Sequence, residues 1–172
     1  MPIGNSVPQL PTYEIASIYR DLRQQILTLD PVKLGLSPET SPPVWGVLME
    51  TGHPETVTTL VALTGGTASL YYSDGGGIIS AEQHDGPRIA ADELIALAPR
   101  FLERCEPAES FPLPGRGSVR FYCLTHTGVF TAEAAEDDLR NGRLPLAPLF
   151  RKAQAVIAQI RHVDEEMGAE LG

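Results

Sequence analysis

The stretch from Val44 to Ser80, VWGVLMETGHPETVTTLVALTGGTASLYYSDGGGIIS, constrains the fold more than any other part of the chain. It sets three strand patterns between turn signals. Val44 to Thr51 is a nearly continuous apolar run, closed by Thr51-Gly52-His53-Pro54. Gly52 tolerates positive φ there, and Pro54 has no N–H for a ladder. Val57 to Leu63 is rich in β-branched residues, with Val57, Thr59, Val61 and Leu63 on one face at period two. Gly65-Gly66 reads as a two-residue hairpin turn, after which Thr67 to Ser73 alternates again. Two hairpins in succession predict an antiparallel meander.

Helical patterns lie on both sides of this block. Thr12 is placed to cap a helix from Tyr13 to about Leu29, and Asp30-Pro31 ends it. Ile15, Ile18, Tyr19, Leu22, Ile26 and Leu29 form its apolar stripe. Pro87 suits the first turn of a second helix, and Pro99 predicts a kink or two short helices meeting at Ala98. Ser118 to Thr125 and Val129 to Ala132 read as a further hairpin. Residues 133 to 143 read as a short acidic helix, and a last long helix runs from about Ala147 to Met167.

The order α-β-β-β-α-β-β-α predicts an α+β fold with a mostly antiparallel five-stranded sheet and about three packed helices. That order resembles the profilin-like sandwiches, which include roadblock-type and sensor domains, although no motif carries the resemblance. Residues 1–11 read as an irregular arm and residues 12–172 as a single domain.

Charge narrows the function classes. A net charge of −9 opposes nucleic acid and anionic lipid, whose phosphates are met by Lys and Arg. The uncharged run from Thr56 to Ser73 is broken by Gly65-Gly66 and many hydroxyls, so it reads as a hairpin rather than a membrane span. The N-terminal residues lack the basic and apolar regions of a secretory signal, which points to a cytoplasmic protein. In that setting Cys105 and Cys123 read as buried thiols rather than as a disulfide.

No catalytic or metal spacing stands out. There is no G-x-S-x-G elbow, H-E-x-x-H or C-x-x-C, and His53, His84, His126 and His162 are scattered. Ser73 with His84 and Asp85, or Cys123 with His126, would need an unusual turn to act together. No cofactor is implied. Asp74-Gly75-Gly76-Gly77 is the most tempting local feature, since successive glycines can aim N–H groups at an anion. Ile78-Ile79-Ser80 follows it as strand, so a bend is the simpler reading. If it does bind a small molecule, Tyr71, Tyr72, Ser73, His84 and His126 are the residues expected to join it. Glu133, Glu136, Asp137 and Asp138 form the densest acidic group, suited to a basic protein partner.

These features point first to a non-catalytic interaction or regulatory domain that docks a protein partner or self-associates as a homodimer. A small-molecule-binding domain is the second reading, and an enzyme with an unfamiliar site the third.

Overall fold

The computed structural model describes residues 13–77, 79–81 and 83–171, with side chains for all of these except 79, 80 and 169–171. The arm expected over residues 1–11 and the cap expected at Thr12 lie outside the described residues.

Among the described residues, seven antiparallel strands form one sheet. They are β1 (Val44–Gly52), β2 (Val57–Leu63), β3 (Thr67–Tyr72), β4 (Ile79–Ser80), β5 (Glu106–Pro107), β6 (Ser118–Thr125) and β7 (Gly128–Ala135). Their spatial order is β4-β3-β2-β1-β6-β7-β5. The helices are α1 (Ser17–Leu27), α2 (Asp85–Leu97), α3 (Glu136–Arg140) and α4 (Ala147–Leu171), with a 3₁₀ helix over Ala98–Arg104. The α+β class holds, with a mostly local antiparallel topology. The five expected strands are present, and β4 and β5 extend the two edges.

The apolar run at Val44 is continuous because β1 is the middle strand and every one of its residues is buried. A strand covered on both faces has no solvent side on which to alternate. On one face, Val47, Met49, Leu60, Leu70, Phe121 and Cys123 pack beneath α2 and α4. On the other, Trp45, Leu48, Val61, Tyr122 and Leu124 pack beneath α1 and the loops that flank it. The β2–β3 turn takes three residues rather than two, and both Gly65 and Gly66 adopt φ +93°. Pro99 acts as expected: α2 stops at Leu97, and the chain continues as the 3₁₀ helix.

Helix α1 differs from its apolar pattern in two ways. It starts at Ser17 instead of Tyr13, because Glu14 and Ala16 donate their N–H groups to the carbonyls of Glu55 and Ser73. It also turns Tyr19, Arg23 and Leu27 toward the sheet, leaving Ile18 53% exposed. The residue that sets this rotation is Arg23, an arginine in the middle of the buried face. No helix among the described residues is long and apolar enough to cross a membrane.

Candidate functional site

Strand register places Thr59, Glu50, Arg120 and Glu133 side by side across β2, β1, β6 and β7. Residues opposed in neighbouring strands share a face, so these four form a polar row beneath α1. Glu50 sits at its centre and is fully buried. Arg23 reaches down from α1 and binds that carboxylate with both arms of its fork, Nε to Oε2 at 2.7 Å and Nη2 to Oε1 at 2.8 Å. The Thr59 hydroxyl donates to Oε2 at 2.9 Å. A hydroxyl has one hydrogen, so Thr59 must accept from the Tyr19 hydroxyl, 2.7 Å away. The Arg23–Glu50 pair and this hydroxyl relay fix the angle at which α1 lies on the sheet.

Tyr122 extends the network. Its hydroxyl donates to the Pro112 carbonyl, which also accepts from Arg23 Nη2 at 3.3 Å. The guanidinium carbons of Arg23 and Arg120 lie 5.7 and 6.0 Å from its ring centroid. Burial, with the Glu50 charge second, pushes the Tyr122 hydroxyl up to about 12. The same two causes raise Tyr19 further.

Arg120 closes the row toward solvent. Its Nη1 donates to Thr131 Oγ1 at 2.9 Å, while its Nε lies 3.6 Å from Glu133 Oε1. That Nε is buried with no hydrogen-bond acceptor, a condition it shares among the described residues with Trp45 Nε1. A buried donor left unpaired is uncommon and calls for an explanation. Arg120 and Thr131 border an open groove of about 490 Å³ whose other wall is the segment from Glu106 to Pro112. A second hollow of about 310 Å³ continues past Glu106 to Arg104, Ala132 and Glu133. It exists because the pairing along β7, which includes the Ala108 N–H on the Val129 carbonyl, stops at Thr131. Beyond Thr131, no described strand pairs with the outer side of β7.

The residues expected from sequence to form a ligand site are dispersed. Adjacent in β3, Tyr71 and Tyr72 pack against opposite faces of the sheet. Ser73 is buried, and its hydroxyl accepts the Val57 N–H. Asp74 accepts the Gly76 N–H at 2.9 Å, which makes residues 74–77 a side-chain-closed turn. Gly75 and Gly77 take φ +86° and +68°, and a Cβ on Gly77 would lie 2.6 Å from the Tyr72 ring. The glycines thus serve a bend that the Tyr72 ring fills. His84 stands exposed before α2, and His126 Nε2 donates to the Pro42 carbonyl at 3.0 Å. Register puts the turn of His126 beside Val44 and the turn of His53 at the far end of β1. Among the described residues, no three His, Cys, Asp or Glu side chains gather as a metal site.

The acidic group is largely neutralised within the chain. Glu136 pairs with Arg140 at 2.8 Å and Asp138 with Arg143 at 3.0 Å. Glu133 lies on β7 rather than on the short helix, and it accepts the Gly115 N–H at 3.1 Å. Asp137 stands in the first turn of α3, where its charge suits the helix dipole.

Sequence reasoning passed over Arg23, Glu50 and the separate role of Arg120. One signal was present: Glu50 is the sole charge in the apolar run of β1, and a carboxylate at a buried position demands a cation.

No family model, curated protein or solved structure matches the chain at a significant level. Its function is therefore read from geometry.

Proposed function

We propose that this chain is a non-catalytic recognition domain, and that the groove around Arg120 takes a carboxylate carried by an extended segment of a protein partner. The observation that carries this reading is Arg120, whose buried Nε has no hydrogen-bond acceptor and whose side chain lines a groove open to solvent. A carboxylate is the acceptor that an arginine fork matches best. The unpaired outer side of β7 next to it offers main-chain groups to an extended peptide, the usual way a sheet edge binds a partner. A second copy of this chain meets the same requirement, because two β7 edges can pair antiparallel about a two-fold axis.

A free small molecule is the second reading. A hollow of about 490 Å³ falls in the size range of small-ligand sites. Here too the Arg120 side would receive a carboxylate, while Glu106 and Glu109 on the other wall suit an amine.

The test is a fluorescence-polarisation titration with short peptides that end in a free carboxylate or carry Asp and Glu, run on wild type and Arg120→Gln. Saturable binding that falls by about tenfold or more in the variant is expected, the loss of one charge-assisted contact. Equal binding by both proteins would overturn the assignment. Free amino acids that compete as well as the peptides would move it to the second reading. Native mass spectrometry reports whether the partner is a second copy.

A further inference from the structure

Thr51 and Thr58 oppose each other across β1 and β2. Met49 and Leu60, two positions along each strand, pack beneath α2 and α4, so period two turns both threonines to that same face. They stand where the helix-covered core ends. His53, in the turn that joins the two strands, has its Nε2 2.9 Å from Thr58 Oγ1. Helix α4 passes this point with Gln154, Ile157 and Arg161, spaced i, i+3 and i+7 on one face. Arg140 approaches from α3, held by Glu136 Oε2 at 2.8 Å and by the Phe150 ring, whose centroid is 5.5 Å from its guanidinium carbon. The two threonines, His53, Glu136, Arg140 and the α4 trio line a hollow of about 110 Å³, and of these only Ile157 is apolar.

Two of these groups are left without partners. Thr51 is 5% exposed, yet its hydroxyl has no hydrogen-bond partner among the described residues. Arg161 makes neither a hydrogen bond nor an ion pair among them, although Asp164 and Glu165 follow at the spacings where helix pairs form. Two guanidiniums against one carboxylate give the hollow a local positive excess in a chain of net charge −9. An unpaired hydroxyl in a buried residue and an unpaired cation beside it suit an anionic ligand. The hollow is well below the roughly 300–1,000 Å³ of small-molecule pockets, so it fits one small ion or one group of a larger compound.

We propose that this hollow binds a phosphate-type oxyanion, either inorganic phosphate or the phosphoryl group of a small organic phosphate. Donors converge on it from the end of the sheet, from α3 and from α4. A planar carboxylate turns its oxygens to one side, whereas a tetrahedral phosphate presents oxygens to all three. Each arginine fork matches two of them. When His53 donates from Nε2, the Thr58 hydroxyl keeps its own hydrogen for the anion. Glu136 competes with the ligand for Arg140 and so limits the affinity. Arg120 opposes Glu50 beneath α1, on the other face of the sheet, so this site does not rest on the recognition reading.

The experiment is isothermal titration calorimetry of the full chain with inorganic phosphate at low ionic strength. Saturable one-site binding is expected. Arg161→Gln, at an exposed and unpartnered position, keeps the fold and should weaken binding about tenfold or more, the loss of one charge-assisted contact. Thr51→Val should weaken it severalfold, and Glu136→Gln should strengthen it by removing the competing acceptor. Lys33→Gln takes the same charge from the exposed loop after α1 and should leave the affinity unchanged. Absence of saturable binding, wild-type affinity in Arg161→Gln, or an equal loss in Lys33→Gln would each overturn the proposal. Acetate that binds as tightly as phosphate would overturn the choice of a tetrahedral anion. Glycerol 3-phosphate separates the two sources: tighter binding than phosphate assigns the hollow to an organic phosphate, and weaker binding to the free ion.

Discussion

Replacing Arg23 with methionine removes the guanidinium that hydrogen-bonds the Glu50 carboxylate and leaves that carboxylate in the centre of the sheet. The side chain of Glu50 is 0% exposed and that of Arg23 11%, so solvent screens the pair little. Breaking a buried pair from one side costs about 3–5 kcal/mol, since the remaining charge keeps its desolvation penalty. For a chain of this size that corresponds to a fall of roughly 6–20 °C in Tm. The reverse change, Glu50→Leu, should cost less. Arg23 stands on a surface helix with a long flexible stem and can swing its guanidinium toward water, whereas Glu50 is short and fixed in the middle strand. The double variant Arg23→Met/Glu50→Leu should recover most of the loss, to within about 1 kcal/mol of wild type, because an apolar pair of similar volume needs no desolvation. Urea titration followed by fluorescence of Trp45, buried on the same strand at 2% exposure, reads all three variants. A cost under about 1 kcal/mol for Arg23→Met, or a double variant as damaged as the sum of the singles, would refute the argument that this pair orients α1.

The tyrosines give a pH dependence with a defined sign. Tyr19 and Tyr122 hold their protons more tightly folded than unfolded, so stability is unaffected below about pH 10 and falls as pH rises from there through 12. Absorbance near 295 nm should show these two ionising only with unfolding, and Tyr19→Phe/Tyr122→Phe should flatten the alkaline decline. At Gly77, alanine adds both left-handed strain and a Cβ 2.6 Å from the Tyr72 ring, whereas Gly65→Ala adds the strain in open space. Gly77→Ala should therefore cost about 1–3 kcal/mol more than Gly65→Ala in urea titration; equal costs would mean that the ring moves aside freely.

The sheet was readable because its information is local. β1 advertised its central place by an unbroken apolar run, and β2 and β3 announced themselves by alternation around Gly65-Gly66. β4 reads only as strand continuing after the glycine bend, and β5, a pattern of two residues, carries no period and leaves no trace. Helix α1 was readable as a helix but not in its rotation. An apolar stripe predicts which face is buried only when burial is apolar, and here a salt bridge overrides it, leaving Ile18 outside.

The candidate site was hidden for a different reason. Local spacing draws attention to residues that are neighbours in sequence, such as 74–77 or 133–138, and the fold spends these on a turn and on internal ion pairs. The groups left with unspent chemistry are joined by register alone. Glu50 meets Arg120 because β1 pairs with β6, and Arg120 meets Glu133 because β6 pairs with β7. The groove beside Arg120 depends on the late edge of the sheet, because β5 and the segment after it form its other wall. A deletion of Glu106-Pro107 should therefore weaken the Arg120-dependent titration while leaving the Arg23–Glu50 pair and its contribution to stability in place. A titration unchanged by the deletion would show that Arg120 presents its guanidinium without the wall that β5 supplies.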